Sequence, residues 1–245
     1  MNFGVLSSET ALGRIARLPL ALVPREWVVP ILQGPLRGKR WIAGSANHSC
    51  WLGFYEQNKQ QILTEEVELG SVFYDVGANV GIYSLLCSLL VGNGKVYAFE
   101  PVPRNLAYLR KHLKLNHARN VEILPFAISD KIGQAQFEIE ASGLMGRLTG
   151  EGSLTVATAT LDSLVENGGM APPDFIKMDI EGAELSALRG ASFIFQRYRP
   201  VLFLATHGRD IERECRKLLE LWDYEIEEIG MDSSDRKELL AKSRL

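Results

Sequence analysis

From Gly70 onward the chain alternates short apolar runs with longer segments whose apolar residues recur every three or four positions. Val72–Val76, Lys95–Phe99 and residues 121–126, 175–179, 201–205 and 224–229 read as strands, bounded by glycine, proline or acidic residues. Residues 79–90 put Leu85, Leu86, Leu89 and Leu90 on the buried side of a helix. A second helix opens at Pro103, carries Leu106, Leu109 and Leu113 on one face, and stops near Asn116. Further helices are expected from Asp162, from Glu184 and over residues 211–222. Residues 134–140 and 154–160 alternate apolar with polar positions, as a half-exposed hairpin does. The glycine-rich stretch between them, 142–153, reads as a mobile loop, and 236–245 is a weak pattern for a last strand.

Apolar strands joined by helices imply a mostly parallel sheet covered on both faces, a doubly wound α/β fold. Ligands of such sheets sit at the carboxyl ends of the strands. That directs attention to residues 75–81, Glu100, Ala127 and 179–184. Residues 1–60 differ in character, with four of the ten prolines and three of the four tryptophans. They read as an irregular extension with short helices, packed on the main domain (61–245) as a lid or against a partner, including a second copy of the chain.

Composition narrows the class. The 245 residues are 46% hydrophobic and 23% charged, with a net charge of −3 and no long basic run, so a nucleic-acid partner is not expected. Cys50, Cys87 and Cys215 form no CxxC pair, which argues for reduced thiols in a cytoplasmic protein rather than disulfides or structural zinc. No apolar run approaches the roughly 18 residues of a membrane span. The run from Leu18 to Pro24 is bracketed by prolines and does not read as a secretory signal.

Asp75-Val76-Gly77-Ala78-Asn79-Val80-Gly81 joins a strand to a helix. Glycines there permit a tight turn and a close approach to a ligand, and the helix start offers unpaired N–H groups. A dinucleotide fingerprint would read G-x-G-x-x-G, but Asn79 stands where its second glycine belongs. The turn therefore suits a ligand without a pyrophosphate. Glu100, at the end of the next strand, can accept hydrogen bonds from both hydroxyls of a ribose. With Asp75 it favours a ligand carrying sulfonium and ammonium charges.

Four segments in order, Asp75-Val-Gly-Ala-Asn-Val-Gly81, Ala98-Phe-Glu-Pro101, Thr160-Leu-Asp162 and Ile176-Lys-Met-Asp-Ile-Glu-Gly-Ala-Glu184, resemble the FkbM-type methyltransferases. The resemblance runs from about Gly70 to His207. It implies a class I methyltransferase fold, S-adenosyl-L-methionine as cofactor, and a hydroxylated small molecule, such as a sugar or secondary metabolite, as acceptor. It further implies Asp75, Gly77 and Gly81 around the methionine part, Glu100 on the ribose and Ala127 near the adenine. Asn79 and Pro101 are expected among the cofactor-binding residues, and Asp179, by its place at a strand end of a doubly wound sheet, beside the reacting methyl group. In Trp51-Leu-Gly-Phe-Tyr-Glu56 an aromatic and a carboxylate could close over the cofactor.

Methyl transfer to a hydroxyl needs alignment, exclusion of water and a proton acceptor, for which Asp179, Glu181 and His207 are the candidates. Asp179 and Glu181 lack an evident third ligand, so no metal is expected. Bland roles compete: Glu184 complements a helix dipole, Lys177 pairs with a nearby carboxylate, Asp162 caps a helix, and His112 and His117 are solvated. Two other classes remain open, a nicotinamide-dependent oxidoreductase and a non-catalytic binding protein on the same scaffold.

Overall fold

The computed structural model describes residues 20, 22–139, 146–149, 152–233 and 236–244. Part of the run from Leu18 to Pro24 and half of the expected loop 142–153 fall outside them.

The elements relevant to the site start with a short ribbon, β1 (Val28–Pro30) and β2 (Arg40–Ile42), then α1 (Ser49–Leu52) and α2 (Gln57–Glu66). Next come β3 (Val72–Val76), α3 (Ile82–Leu90), β4 (Lys95–Phe99), α4 (Pro103–Leu115) and β5 (Val121–Leu124). A side sheet follows from β6 (Ala127–Ile128), β7 (Gly133–Ile139), β8 (Gly146–Thr149) and β9 (Leu154–Ala159). The chain ends with α5 (Leu161–Glu166), β10 (Phe175–Met178), α6 (Glu184–Arg189), α7 (Ser192–Arg197), β11 (Val201–His207), α8 (Arg209–Leu221), β12 (Tyr224–Ser233) and β13 (Arg236–Ser243).

The main sheet has seven strands in the order β12-β13-β11-β10-β3-β4-β5. The five central and edge strands from β11 to β5 are parallel, and β13 inserts antiparallel between β11 and β12. The chain first builds outward from β3 to β5, then returns to place β10 on the other side of β3. The strand order therefore reverses between β3 and β10, the place where a doubly wound sheet opens a ligand crevice.

Alternation along the strands sorts side chains onto two faces. Tyr74, Val76, Ile176, Met178, Leu202 and Leu204 pack under α6, α7 and α8 through Ala187, Leu188, Ile194, Phe195, Cys215 and Leu219. Phe73, Phe175 and Phe203 face the other way, against Leu63, Leu85, Leu86 and Cys87. Ile31, Leu36, Trp41 and Trp51 join this second core. The extension is thus built into the sheet's own apolar cluster, and α2 runs unbroken across residues 60 and 61.

Several local expectations change. The strand expected over 121–126 stops at Leu124, and Ala127–Ile128 crosses to the side sheet, pairing with β9. The expected hairpin is present as β7 against β9, and β8, from the middle of the expected loop, adds to β7's other edge. Asp162 does cap a helix, though not its own: its carboxylate accepts from Phe193 N and Ile194 N at 3.0 Å, the start of α7, while Thr160 caps α5. All three cysteines are free and buried, and burial pushes the Cys50 and Cys215 thiols up to about 12. Among the described residues no helix is long and apolar enough to cross a membrane.

His112, expected at the surface, is fully buried. Trp41 of the extension stacks on its ring at 3.7 Å between centroids. Nε2 accepts from Ile42 N at 3.1 Å, so the Nδ1 proton points to the Val80 carbonyl at 2.7 Å. One neutral imidazole thereby joins the extension to the turn before α3. Burial drives its pKa from 6.5 down to about 4. The unfolded chain then takes up this proton first as the pH falls, so stability is lost between pH 6.5 and 4 and not above. The shift corresponds to roughly 3 kcal/mol. Denaturant titrations should find that loss in the wild type, whereas His112→Gln should be less stable at pH 7 and lack this component of the acid slope.

Candidate active site

The turn after β3 is held in a left-handed conformation, with φ 83° at Gly77, 51° at Asn79 and 96° at Gly81, so α3 starts only at Ile82. A Cβ on Gly77 would lie 2.1 Å from the Asp179 carbonyl oxygen, and one on Gly81 2.4 Å from Leu109 Cδ1. These glycines serve the turn and its packing on β10 and α4, and the space their missing side chains leave is filled by protein rather than kept for a ligand. Gly77 N and Ala78 N both donate to the Phe99 carbonyl, at 3.1 and 2.9 Å, which fastens the turn to the end of β4.

Beneath the turn lies a buried ion pair. Asp75 and Lys177 are direct neighbours in the β3–β10 register. Lys177 Nζ stands 3.2 Å from Asp75 Oδ1, donates to the Gly77 carbonyl at 2.9 Å, and lies 5.2 Å from the Tyr83 ring centre. Asp75 Oδ2 accepts from Ser84 Oγ at 2.6 Å. Asp75 does not line the adjoining cavity and is wholly shielded from solvent. It stands one layer behind the expected ligand position, as the counter-ion of Lys177.

The cavity, of about 210 Å³, opens between the turn, the end of β4, the side sheet and the end of β10. Gly77, Asn79, Gly81, Glu100, Pro101, Ala127 and Asp179 all line it, as does Glu181. Val102, Phe126, Ile128 and Phe137 give one end an apolar wall. Glu100 Oε1 accepts from Val102 N and Oε2 from Asn79 N, both at 2.8 Å. Oε1 also accepts from Asn105 Nδ2 at 3.5 Å, whereas Oε2 keeps a second lone-pair direction for a further donor. Burial raises the Glu100 pKa to about 7, against the lowering effect of those backbone bonds. Tyr55, Tyr83 and Arg236 also line the cavity. Tyr55 comes from the segment in which an aromatic was expected, and neighbouring Glu56 pairs with Lys59 at 3.0 Å and accepts from the Tyr83 hydroxyl.

The opposite rim gathers the proposed proton acceptors. His207 is the last residue of β11 and sits in register with Arg236 of β13. Its Nε2 lies 3.6 Å from Asp179 Oδ1 and 3.2 Å from Glu181 Oε2, and its Nδ1 lies 2.8 Å from Glu184 Oε1. Arg236 Nη2 is 3.0 Å and Lys59 Nζ 3.8 Å from Asp179 Oδ2. Burial opposes ionisation of Asp179, but Lys177, Lys59, Arg236 and His207 outweigh it and hold the carboxyl below its usual value. Burial also disfavours the His207 cation, yet the Glu184 hydrogen bond and three carboxylates raise its pKa. Burial raises Glu181, with partial relief from His207. Glu184 is fully buried, and its Oε1 also accepts from Gly182 N at 3.0 Å. Its place is the floor beneath His207, more than a bare helix-dipole role.

A seven-stranded sheet of this order, with a glycine turn after β3, is the class I methyltransferase fold. The chain belongs to the FkbM methyltransferase family: residues 75–230 match the methyltransferase FkbM domain. It is 34% identical over 168 residues to the hexuronic acid methyltransferase AglP of Haloferax volcanii, a match covering 67% of each protein. It is 27% identical over 162 residues to the 2-O-methyltransferase NoeI of Sinorhizobium fredii, covering 58% of this chain and 64% of the other. Among solved structures it resembles the methyltransferase FkbM of Methylobacillus flagellatus, with a TM-score of 0.51 at 21% identity, covering 71% of this chain and 43% of that one. Family membership sets aside the oxidoreductase reading.

Removing Lys177 while Asp75 remains leaves an uncompensated buried carboxylate. Lys177→Met should cost about 3–5 kcal/mol in denaturant unfolding. Asp75→Asn combined with Lys177→Met should recover part of that loss, and strict additivity of the two single changes would contradict the pairing.

Proposed function

We propose that the protein binds S-adenosyl-L-methionine in this cavity and transfers its methyl group to a hydroxyl of a sugar or related metabolite. The observation that carries the reading is Glu100, a buried carboxylate lining the cavity, whose Oε2 holds a single hydrogen bond and whose Oε1 holds one short bond and one long one, from Asn105. That arrangement fits a ribose diol, and the apolar wall of Val102, Ile128 and Phe137 fits a purine. S-adenosyl-L-methionine supplies a methyl group on a sulfonium, ready for displacement by an oxygen in line with the carbon–sulfur bond. The carbon–oxygen bond forms as the carbon–sulfur bond breaks, and the acceptor must release its hydroxyl proton. Of the three rim groups, Glu181 is best suited to take it, because it lines the cavity and stands beside His207, at 3.2 Å, and not against an arginine or lysine. Asp179 is committed to cations, and His207 is held by three carboxylates. The activities of the relatives support the proposed acceptor, the first a sugar, through hexuronic acid, and the second a hydroxyl, through its 2-O position.

Because the ionised Glu100 accepts from the ribose, donor affinity should rise with pH through about 7 and binding below that pH should release a proton. Calorimetry across pH 6–8 checks this. Glu100→Gln should weaken binding at least about tenfold and flatten the pH dependence. Affinity independent of pH in the wild type, or unchanged in the variant, would remove Glu100 from the donor site. The acceptor follows from incubating labelled donor with hexose and hexuronic acid glycosides. Label in base-stable ether linkage is expected, whereas label lost in mild base would mean a methyl ester and transfer to a carboxylate instead.

A further inference from the structure

We propose that Asp179, Glu181 and His207 form a binding site for a divalent transition-metal cation at the rim of the cavity. The carboxylates flank a turn after β10 and the histidine ends β11, so adjacent parallel strands bring together residues that the sequence keeps apart. One ligand atom from each, Asp179 Oδ1, Glu181 Oε2 and His207 Nε2, lies within 4.8 Å of the other two. The imidazole nitrogen is 3.6 and 3.2 Å from the two oxygens. Ligands sharing a cation through bonds of about 2.1 Å stand roughly 3.0 Å apart in an octahedron and 3.4 Å in a tetrahedron, so little movement separates this arrangement from a coordinated one.

The surroundings prepare each ligand. His207 Nδ1 is engaged by Glu184 Oε1 at 2.8 Å, and Glu184 is fixed in turn by Gly182 N. A carboxylate behind the imidazole is the usual means of orienting a metal-binding histidine and strengthening it as a ligand. Nε2 itself is shielded from solvent and makes no hydrogen bond, although both oxygens are near. They therefore lie to the sides of the direction in which the nitrogen would donate or ligate. Side-by-side placement around that direction is what ligands of one cation require and what a hydrogen bond does not. Asp179 is divided in the same sense, with Oδ2 turned to Arg236 and Lys59 and Oδ1 to the imidazole.

One nitrogen and two carboxylate oxygens suit Mn²⁺, Fe²⁺ or Zn²⁺ better than Mg²⁺ or Ca²⁺. Three protein ligands leave coordination positions open, and Asp179 and Glu181 both line the cavity. If the proposed sugar acceptor is right, neighbouring hydroxyls of its ring would occupy them. Binding of the cation itself requires neither donor nor acceptor.

The test uses chelator-treated full-length protein titrated with MnCl₂, without S-adenosyl-L-methionine, read by loss of the free Mn²⁺ electron paramagnetic resonance signal and by calorimetry. A single site per chain is expected. His207→Ala and Glu181→Gln, checked for folding by circular dichroism, should each weaken it at least about tenfold. His117→Ala, an exposed histidine elsewhere, should leave it unchanged. Mg²⁺ should compete at least about tenfold more weakly than Zn²⁺. No binding at millimolar Mn²⁺, binding that survives both site substitutions, or equal competition by Mg²⁺ would overturn the proposal. Donor binding measured in the same preparation reports separately on the methyltransferase reading.

Discussion

The ammonium of Lys177 links the two strands at which the sheet reverses its order. It faces the Asp75 carboxylate of β3 and donates to the Gly77 carbonyl that begins the left-handed turn. A charge pair shielded from water is costly to form and is tolerated only where each partner is well satisfied. Ser84 and the Gly77 carbonyl supply the additional bonds here. The turn cannot shift without stranding one of these charges. Its position fixes Asn79 N, and through that bond one oxygen of Glu100. The proposed ribose site therefore inherits its geometry from an interaction in the layer below.

The same strand ends join distant parts of the chain at the rim. Lys59 of α2 reaches Glu56, Asp179 and Glu238 of β13, at 3.0, 3.8 and 2.9 Å. Burial works against this cation, but the three carboxylates raise its pKa nonetheless. Arg236 at the start of β13 completes the link to Asp179. The segment before β3 and the last strand thus meet at the cavity, which Tyr55 and Arg236 both line. The extension is held there by apolar burial of Trp41 and Trp51 and by the neutral His112 bridge to Val80.

The parallel sheet, its helices and the four strand-end positions could be read from the sequence because each rests on local periodicity and on residues adjacent in the chain. Glu100 followed from Phe99-Glu100-Pro101 at the end of an apolar run, and it lines the cavity. That Asp75 lies behind the cavity wall was not legible, because the register that sets it opposite Lys177 joins segments far apart in sequence. His112 looked solvated because the ring that covers it, Trp41, lies in the irregular segment. His207 stands with Asp179 and Glu181 among the proton acceptors legible in the sequence, but its place as a third ligand atom shows only in the pairing of β10 with β11, which brings it to 3.6 and 3.2 Å from them. Arg236 was missed because its strand pattern is weak, and insertion beside β11 gives it a place at the rim.

A crystal structure with S-adenosylhomocysteine bound tests the central claim most directly. The ribose hydroxyls should lie within hydrogen-bonding distance of the two Glu100 oxygens. The adenine should rest against Val102, Ile128 and Phe137, and the sulfur should point toward Asp179 and Glu181, with the Lys177–Asp75 pair undisturbed. Ligand bound elsewhere on the sheet, or in this cavity with its ribose turned away from Glu100, would contradict the account.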